Sequence, residues 1–234
     1  MTRPLKLATF TLVAASALCV PATAQLLGQP QIPERDPARV KKAKQRAIDA
    51  EWMWQYGPPP EGGRENELIQ DPHFQPFLTQ NLIAPQSFWG PQKDGARKTL
   101  AETAYDFLTI PGKVIADRNR YITVTGHVFH FPASRGLLFT DLNDARPLVV
   151  FAAIDWIRDN RSTDDPAAEY TVWLFANRPL AAGDSADHLP TALVHSLVRW
   201  MAEPPAGTTV PQKISAAILV DPDGTPHQIT VPKE

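Results

Sequence analysis

RGLLFTDLNDARPLVVFAAIDW, residues 135–156, decides how this chain folds. Its halves, RGLLFTDL and PLVVFAAIDW, are rich in Leu, Val, Ile and Phe, and Asn143-Asp144 divides them. From residue 113 onward the pattern changes to period two and is rich in Val, Ile, Thr and aromatics, which reads as β-strands. The pattern extends both ways. KVIADR (113–118) and RYITVTG (120–126) precede it, and EYTVWLFANR (169–178) follows after the loop residues Asn160-Arg161-Ser162. LPTALVHSLVRWMAE (189–203) then changes to helical spacing, with Leu193, Leu197 and Trp200 or Met201 on one face. KISAAILVDPDGTPHQITV (213–231) closes the chain as a hairpin around Asp-Pro-Asp-Gly.

Before residue 111 the signals are helical. Asp36-Pro37 is an N-cap followed by proline at the first helical position, and PARVKKAKQRAIDAEWMWQY (37–56) carries helical spacing up to the stop at Gly57-Pro58-Pro59-Pro60. ENELIQ (65–70), DPHFQPFLTQNLI (71–83, capped by Asp71) and KTLAETAYDFLT (98–109) read as short helices. Trp52, Trp54 and Tyr56 fit a sugar or partner contact, or a helix end packed on the core. The usual burial of large aromatics favours packing. The expected fold class is α+β: an antiparallel β-sheet in the second half (111–234, with one long helix), with preceding and intervening helices, forming one domain with a helical part over 37–110.

The first residues point to export. Arg3 and Lys6 form a basic start, an apolar run covers 7–20, and Ala22-Thr23-Ala24 is a cleavage signal, so a signal peptide over 1–24 is expected, cut after Ala24. The run is shorter than the roughly 20 residues a membrane span needs. Residues 25–36 read as a flexible leader, and the mature chain as periplasmic or secreted with no membrane span. Cys19 is the single cysteine, so the mature chain has none. That excludes an internal disulfide, a cysteine nucleophile and a thiolate metal site. Removing Arg3 and Lys6 takes Lys+Arg from 23 to 21 against 25 Asp+Glu, a formal charge of −4. No basic patch suggests nucleic acid.

No phosphate-binding loop, dinucleotide fingerprint, serine-hydrolase elbow, zinc-protease or calcium-loop motif is present, so no cofactor is expected. Asp155, Asp159, Asp164 and Asp165 are carboxylates without a pairing pattern of the kind a glycosidase needs. The concentrated chemistry lies in GHVFHFPASRG (126–136). On a continuous strand His127 and His130 would face opposite sides, which argues against a shared metal. The remaining alternatives are an ordinary half-exposed connection and a functional loop of His127, Phe129, His130, Phe131 and Arg135. His195 reads as a core-edge residue of the late helix, and His73, His188 and His227 as surface residues.

A strand ending in Gly126, a short loop centred on His130, then Arg135 and the strand opening Gly136-Leu137-Leu138-Phe139 resembles the periplasmic inhibitors of vertebrate lysozyme, the Ivy family, over residues 89–156. His127 and Pro132 stand at the family's loop cysteines, Phe129 at its proline and Phe131 at its acidic residue. The resemblance implies a binding protein that inserts His130 between the two catalytic acids of a lysozyme-like glycosidase. It also implies weaker inhibition, a different glycosidase target or loss of the activity, since no disulfide holds the loop. Two other classes compete: an envelope hydrolase using a pair such as Asp155 and His130, and a structural or interaction protein of the cell envelope. An inhibitor requires His130 exposed on a projecting loop, a hydrolase requires a cleft where it meets carboxylates, and a structural protein requires neither.

Overall fold

The computed structural model describes residues 50–56, 64–65, 67–86, 88–89, 95–142, 147–157, 165, 167–180 and 188–233, all within the compact unit Arg46–Glu234. The expected signal peptide, the leader and most of the helix over 37–56 lie outside these residues.

One eight-stranded sheet organises them, and its strands lie side by side in chain order. They are β1 (Arg64–Glu65), β2 (Ile110–Asp117), β3 (Tyr121–Val128), β4 (Phe131–Asp141), β5 (Leu148–Ile157), β6 (Glu169–Ala176), β7 (Lys213–Val220) and β8 (Pro226–Ile229). Three helices accompany them: α1 (Phe74–Asn81), α2 (Leu100–Leu108) and α3 (Thr191–Ala202). The α+β expectation holds, and every neighbouring pair is antiparallel except β6–β7. That pair is parallel because α3 carries the chain back between them, the long crossover that parallel neighbours require.

The stretch over 135–156 forms the middle of the sheet, and its alternation fills two cores. Leu138, Phe151 and Ala153 face one side, where they meet Leu100, Ala104 and Phe107 of α2 and Phe74, Phe77 and Leu78 of α1. Leu137, Phe139, Val150 and Ile154 face the other, against Leu193, Leu197 and Trp200 of α3. Helices on both faces leave a central strand no polar side, so β4 and β5 read as nearly continuous apolar runs.

Local chemistry sets the ends. α2 begins in a reciprocal cap: the Thr99 hydroxyl accepts from the Glu102 N–H at 3.2 Å, and the Glu102 carboxylate accepts from the Thr99 N–H at 2.7 Å. α1 starts at Phe74, later than the Asp71-Pro72 signal suggests. Asp71 is occupied instead: its carboxylate accepts from the His73 N–H (2.8 Å) and the Tyr56 hydroxyl (2.8 Å). Burial raises this carboxyl's pKa, and the hydrogen bonds from His73 and Tyr56 outweigh it and leave it low. Residues 51–56 are a 3₁₀ turn with Met53 fully buried and Trp52, Trp54 and Tyr56 packed on the α1/α2 core. The Arg118-Asn119 corner joins β2 to β3 with positive φ at both residues (53° and 50°), the backbone pattern of a tight hairpin turn.

Candidate functional site

β3 and β4 pair in steady register from Tyr121↔Asp141 to His127↔Arg135. Then Val128 pairs with Phe131, so Pro132, Ala133 and Ser134 stand as extra residues on β4. Such a bulge bends and twists the strand that carries it. The Ser134 hydroxyl pins it by donating to Asp155 Oδ1 on β5 at 2.7 Å. Only Phe129 and His130 remain outside the strands, as a two-residue turn. The loop expected over 126–136 is thus reduced to those two residues, and Gly126 and Gly136 are paired strand residues. They are glycine because the end of α2 lies on them. A Cβ at Gly136 would stand 2.8 Å from the Phe107 carbonyl oxygen, and one at Gly126 would stand 2.8 Å from Leu108 Cα.

At the tip three rings face solvent. Phe129 is 57 % and Phe131 62 % exposed, and His130 is exposed between them. The Phe129 and His130 ring centres are 3.7 Å apart. His130 holds φ +64°, and among the described residues no hydrogen bond or ion pair involves its side chain. Large exposed apolar side chains gathered at one projection are unusual on a folded surface and mark contact sites.

The other two residues of the expected loop lie at its base. Arg135 is buried, 5 % exposed, on the α3 side of the sheet. Its guanidinium donates to the Trp200 carbonyl (3.2 Å) and the Glu203 carbonyl (2.7 Å) at the end of α3, and to Gln212 Oε1 (2.8 Å). It also sits over the Trp200 ring at 5.2 Å. A cation on the last carbonyls of a helix satisfies groups the helix cannot, and complements its dipole. Burial lowers the Arg135 pKa to about 10, with the Glu203 carboxylate acting in the opposite direction. So Arg135 fastens α3 to the sheet and does not belong to the exposed tip. His127 is half-buried opposite it. Burial, and then the Arg135 charge, push its pKa below 6.5.

The tip histidine and Asp155 are not brought together, since Asp155 holds Ser134 and His130 holds nothing. His127 and His130 do not converge either, and among the described residues no three His, Cys, Asp or Glu side chains cluster. Asp221-Pro222-Asp223-Gly224 is a turn, with Gly224 at φ +91° and the Asp223 carboxylate accepting from the Thr225 N–H at 2.9 Å.

One feature went unread in the sequence. An open groove of about 1770 Å³ runs beside α3, lined by Val194, His195, Val198, Arg199, Ile214 and Gln228 among others. His195 is exposed in it rather than seated at the core edge. The signal was a second stripe on α3: residues 191, 194, 195, 198, 199 and 202 recur at helical spacing beside the core stripe. No described helix is long and apolar enough to cross a membrane. Comparison with protein-family models, with curated proteins and with solved structures finds no match to the chain.

Proposed function

We propose that this chain is a binding protein that acts outside the cytoplasm and presents His130, flanked by Phe129 and Phe131, to a glycosidase of the lysozyme class. One observation carries the reading: the imidazole stands unpartnered on a two-residue turn between two exposed phenylalanines. Phe129, His130 and Phe131 are all exposed on the turn that joins β3 to β4, and neither the groove beside α3 nor the small cleft between α1 and α2 includes them. That is the form of a ligand for another protein's cleft.

The chemistry follows from the target. A glycosidase cleft holds two carboxyl groups, one protonated and one ionised. A neutral imidazole between them can accept from the first through one ring nitrogen and donate to the second through the other. Phe129 and Phe131 would bury apolar area on the cleft's lips. Ordering a flexible loop would consume that gain. Here the β3–β4 ladder, in register up to His127↔Arg135, and the Ser134–Asp155 bond that pins the bulge above it support the turn in place of the disulfide found in the resembling family. The N-terminal basic and apolar segment supports export, and the lack of a charge among residues 128–134 leaves the tip free of self-made competitors for the carboxylates.

The test is inhibition of lysozyme acting on peptidoglycan by the purified protein, beside His130→Ala. The wild type should inhibit, and the variant should lose about 2 kcal/mol of binding, roughly thirtyfold in affinity, as a central contact residue does. Absence of inhibition by wild type at high micromolar concentration, or equal inhibition by the variant, overturns the reading.

A further inference from the structure

We infer that the directly opposed His127–Arg135 pair at the base of the hairpin is an acid-sensitive latch: protonating the imidazole sets two cations side by side and loosens the tip that carries His130. That this regulates binding rests on the reading of the tip given above. The mechanical part rests on the pairing alone.

His127 and Arg135 are the last in-register pair before the bulge, so their Cβ atoms point to the same face, about 5 Å apart. That face is the α3 side, as the Arg135 bonds to Trp200 and Glu203 and the Thr123–Ser196 hydroxyl contact (3.1 Å) establish. Across the sheet the directly opposed row reads Ile110, His127, Arg135, Ile154, Val172, Ala217, Ile229. It contains no carboxylate. His127 has an aliphatic residue on one side and the guanidinium on the other.

The charged groups nearby are already engaged. Glu203, just past α3, gives its backbone carbonyl to Arg135 and its carboxylate to Lys113 on β2, 2.9 Å away. Lys113 is itself a further cation on this side. Arg135 is buried and bonded to three acceptors, while its Nη2 has no partner among the described residues. It cannot swing out to water to escape a new neighbouring charge. The repulsion must therefore be relieved by the more exposed partner. His127 lies one residue before the irregular pairing of Val128 with Phe131, where the ladder is already interrupted. Opening there frees the turn without disturbing α3.

The sign follows from linkage. Well above pH 6.5 the imidazole is neutral in folded and unfolded chains alike. Below it the unfolded chain takes the proton first, so stability is lost as pH falls, until pH has passed through the lower native value. The same argument applies locally, between the closed hairpin and the frayed one.

The test is an NMR titration of the purified protein, without any partner, from about pH 7.5 to about pH 5, a range that spans imidazole protonation. It follows the His127 ring and the exchange protection factors of amides between His127 and Arg135, which already remove the intrinsic pH dependence of exchange. The expected result is a His127 midpoint below 6.5, with hairpin protection falling as pH drops from 6.5 toward that midpoint and levelling off below it, while the amides of α2 keep theirs. In His127→Gln the hairpin protection should stay level. A midpoint at or above 6.5, protection that stays level through the titration, or an equal acid loss in His127→Gln each overturns the latch. The wild-type titration decides alone if the variant does not fold. Failure of the latch leaves the lysozyme assay unaffected, and failure of that assay leaves this titration unaffected.

Discussion

His130 occupies a left-handed backbone conformation, where an L side chain crowds the following carbonyl and glycine is free of that penalty. Histidine is among the residues that tolerate it, yet it still costs about 1 kcal/mol. His130→Gly should therefore raise stability by about that amount in urea unfolding while removing the imidazole that the tip presents. Backbone strain of this kind is a pointer to a site where the side chain has a task. The sequence placed His130 at the centre of a connection but could not show that the connection is only two residues long. That shortness depends on Gly126 and Gly136 pairing, and their pairing depends on α2, which reaches them from residues 107 and 108. Arg135 was unreadable for a related reason. An arginine beside a loop looks like a surface residue, and its acceptor carbonyl on Trp200 comes from 65 positions further along.

Elements were most legible where their signals are local. α2 and α3 follow from periodicity, and the β7–β8 corner from Asp-Pro-Asp-Gly, because each is specified within a few residues. For α2 the Thr99–Glu102 cap is part of that local specification, and Thr99→Ala should cost about 1 kcal/mol of stability, measured by thermal unfolding. Where a neighbour competes for the signal, the reading slips. Asp71 has the chemistry of a helix start, but the Tyr56 hydroxyl and the Gln55 amide (3.0 Å) also claim its carboxylate, and α1 begins past it. The direction of β7 was illegible in β7 itself. Period-two alternation is the same for a strand running either way, and only the helix in the connection between β6 and β7 carries the information.

At the scale of the molecule the sheet is a partition between two apolar cores. Leu137 and Leu138 are consecutive, both fully buried, and belong to different ones. Leu137→Ala and Leu138→Ala should each cost about 3 kcal/mol. Because the two side chains share no packing partners, their effects should add to within a few tenths of a kcal/mol in the double variant, in a single unfolding transition by urea. A result well short of additivity, or two separate transitions, would mean that the layers do not unfold together. The α+β class was readable because helical spacing gives way to segments rich in Val, Ile, Thr and aromatics after residue 111, although the two-sided cover that makes β4 and β5 nearly continuous apolar runs was not. The pairing order was not, since nothing in a strand's composition names its neighbour.

That order has a consequence for how the chain is assembled as it is synthesised. Each strand lies beside its predecessor, so a chain emerging N-terminus first can add every new strand to an edge that already exists, zipper fashion, and rarely has to close a long loop. Two connections are long: residues 66–109, with α1 and α2, separate β1 from β2, and residues 177–212, with α3, separate β6 from β7. β7 cannot join β6 until α3 has been made and laid across the sheet, and the guanidinium waiting on β4 is what receives the end of that helix. Arg135 is thus a docking peg built some sixty-five residues before the part it receives.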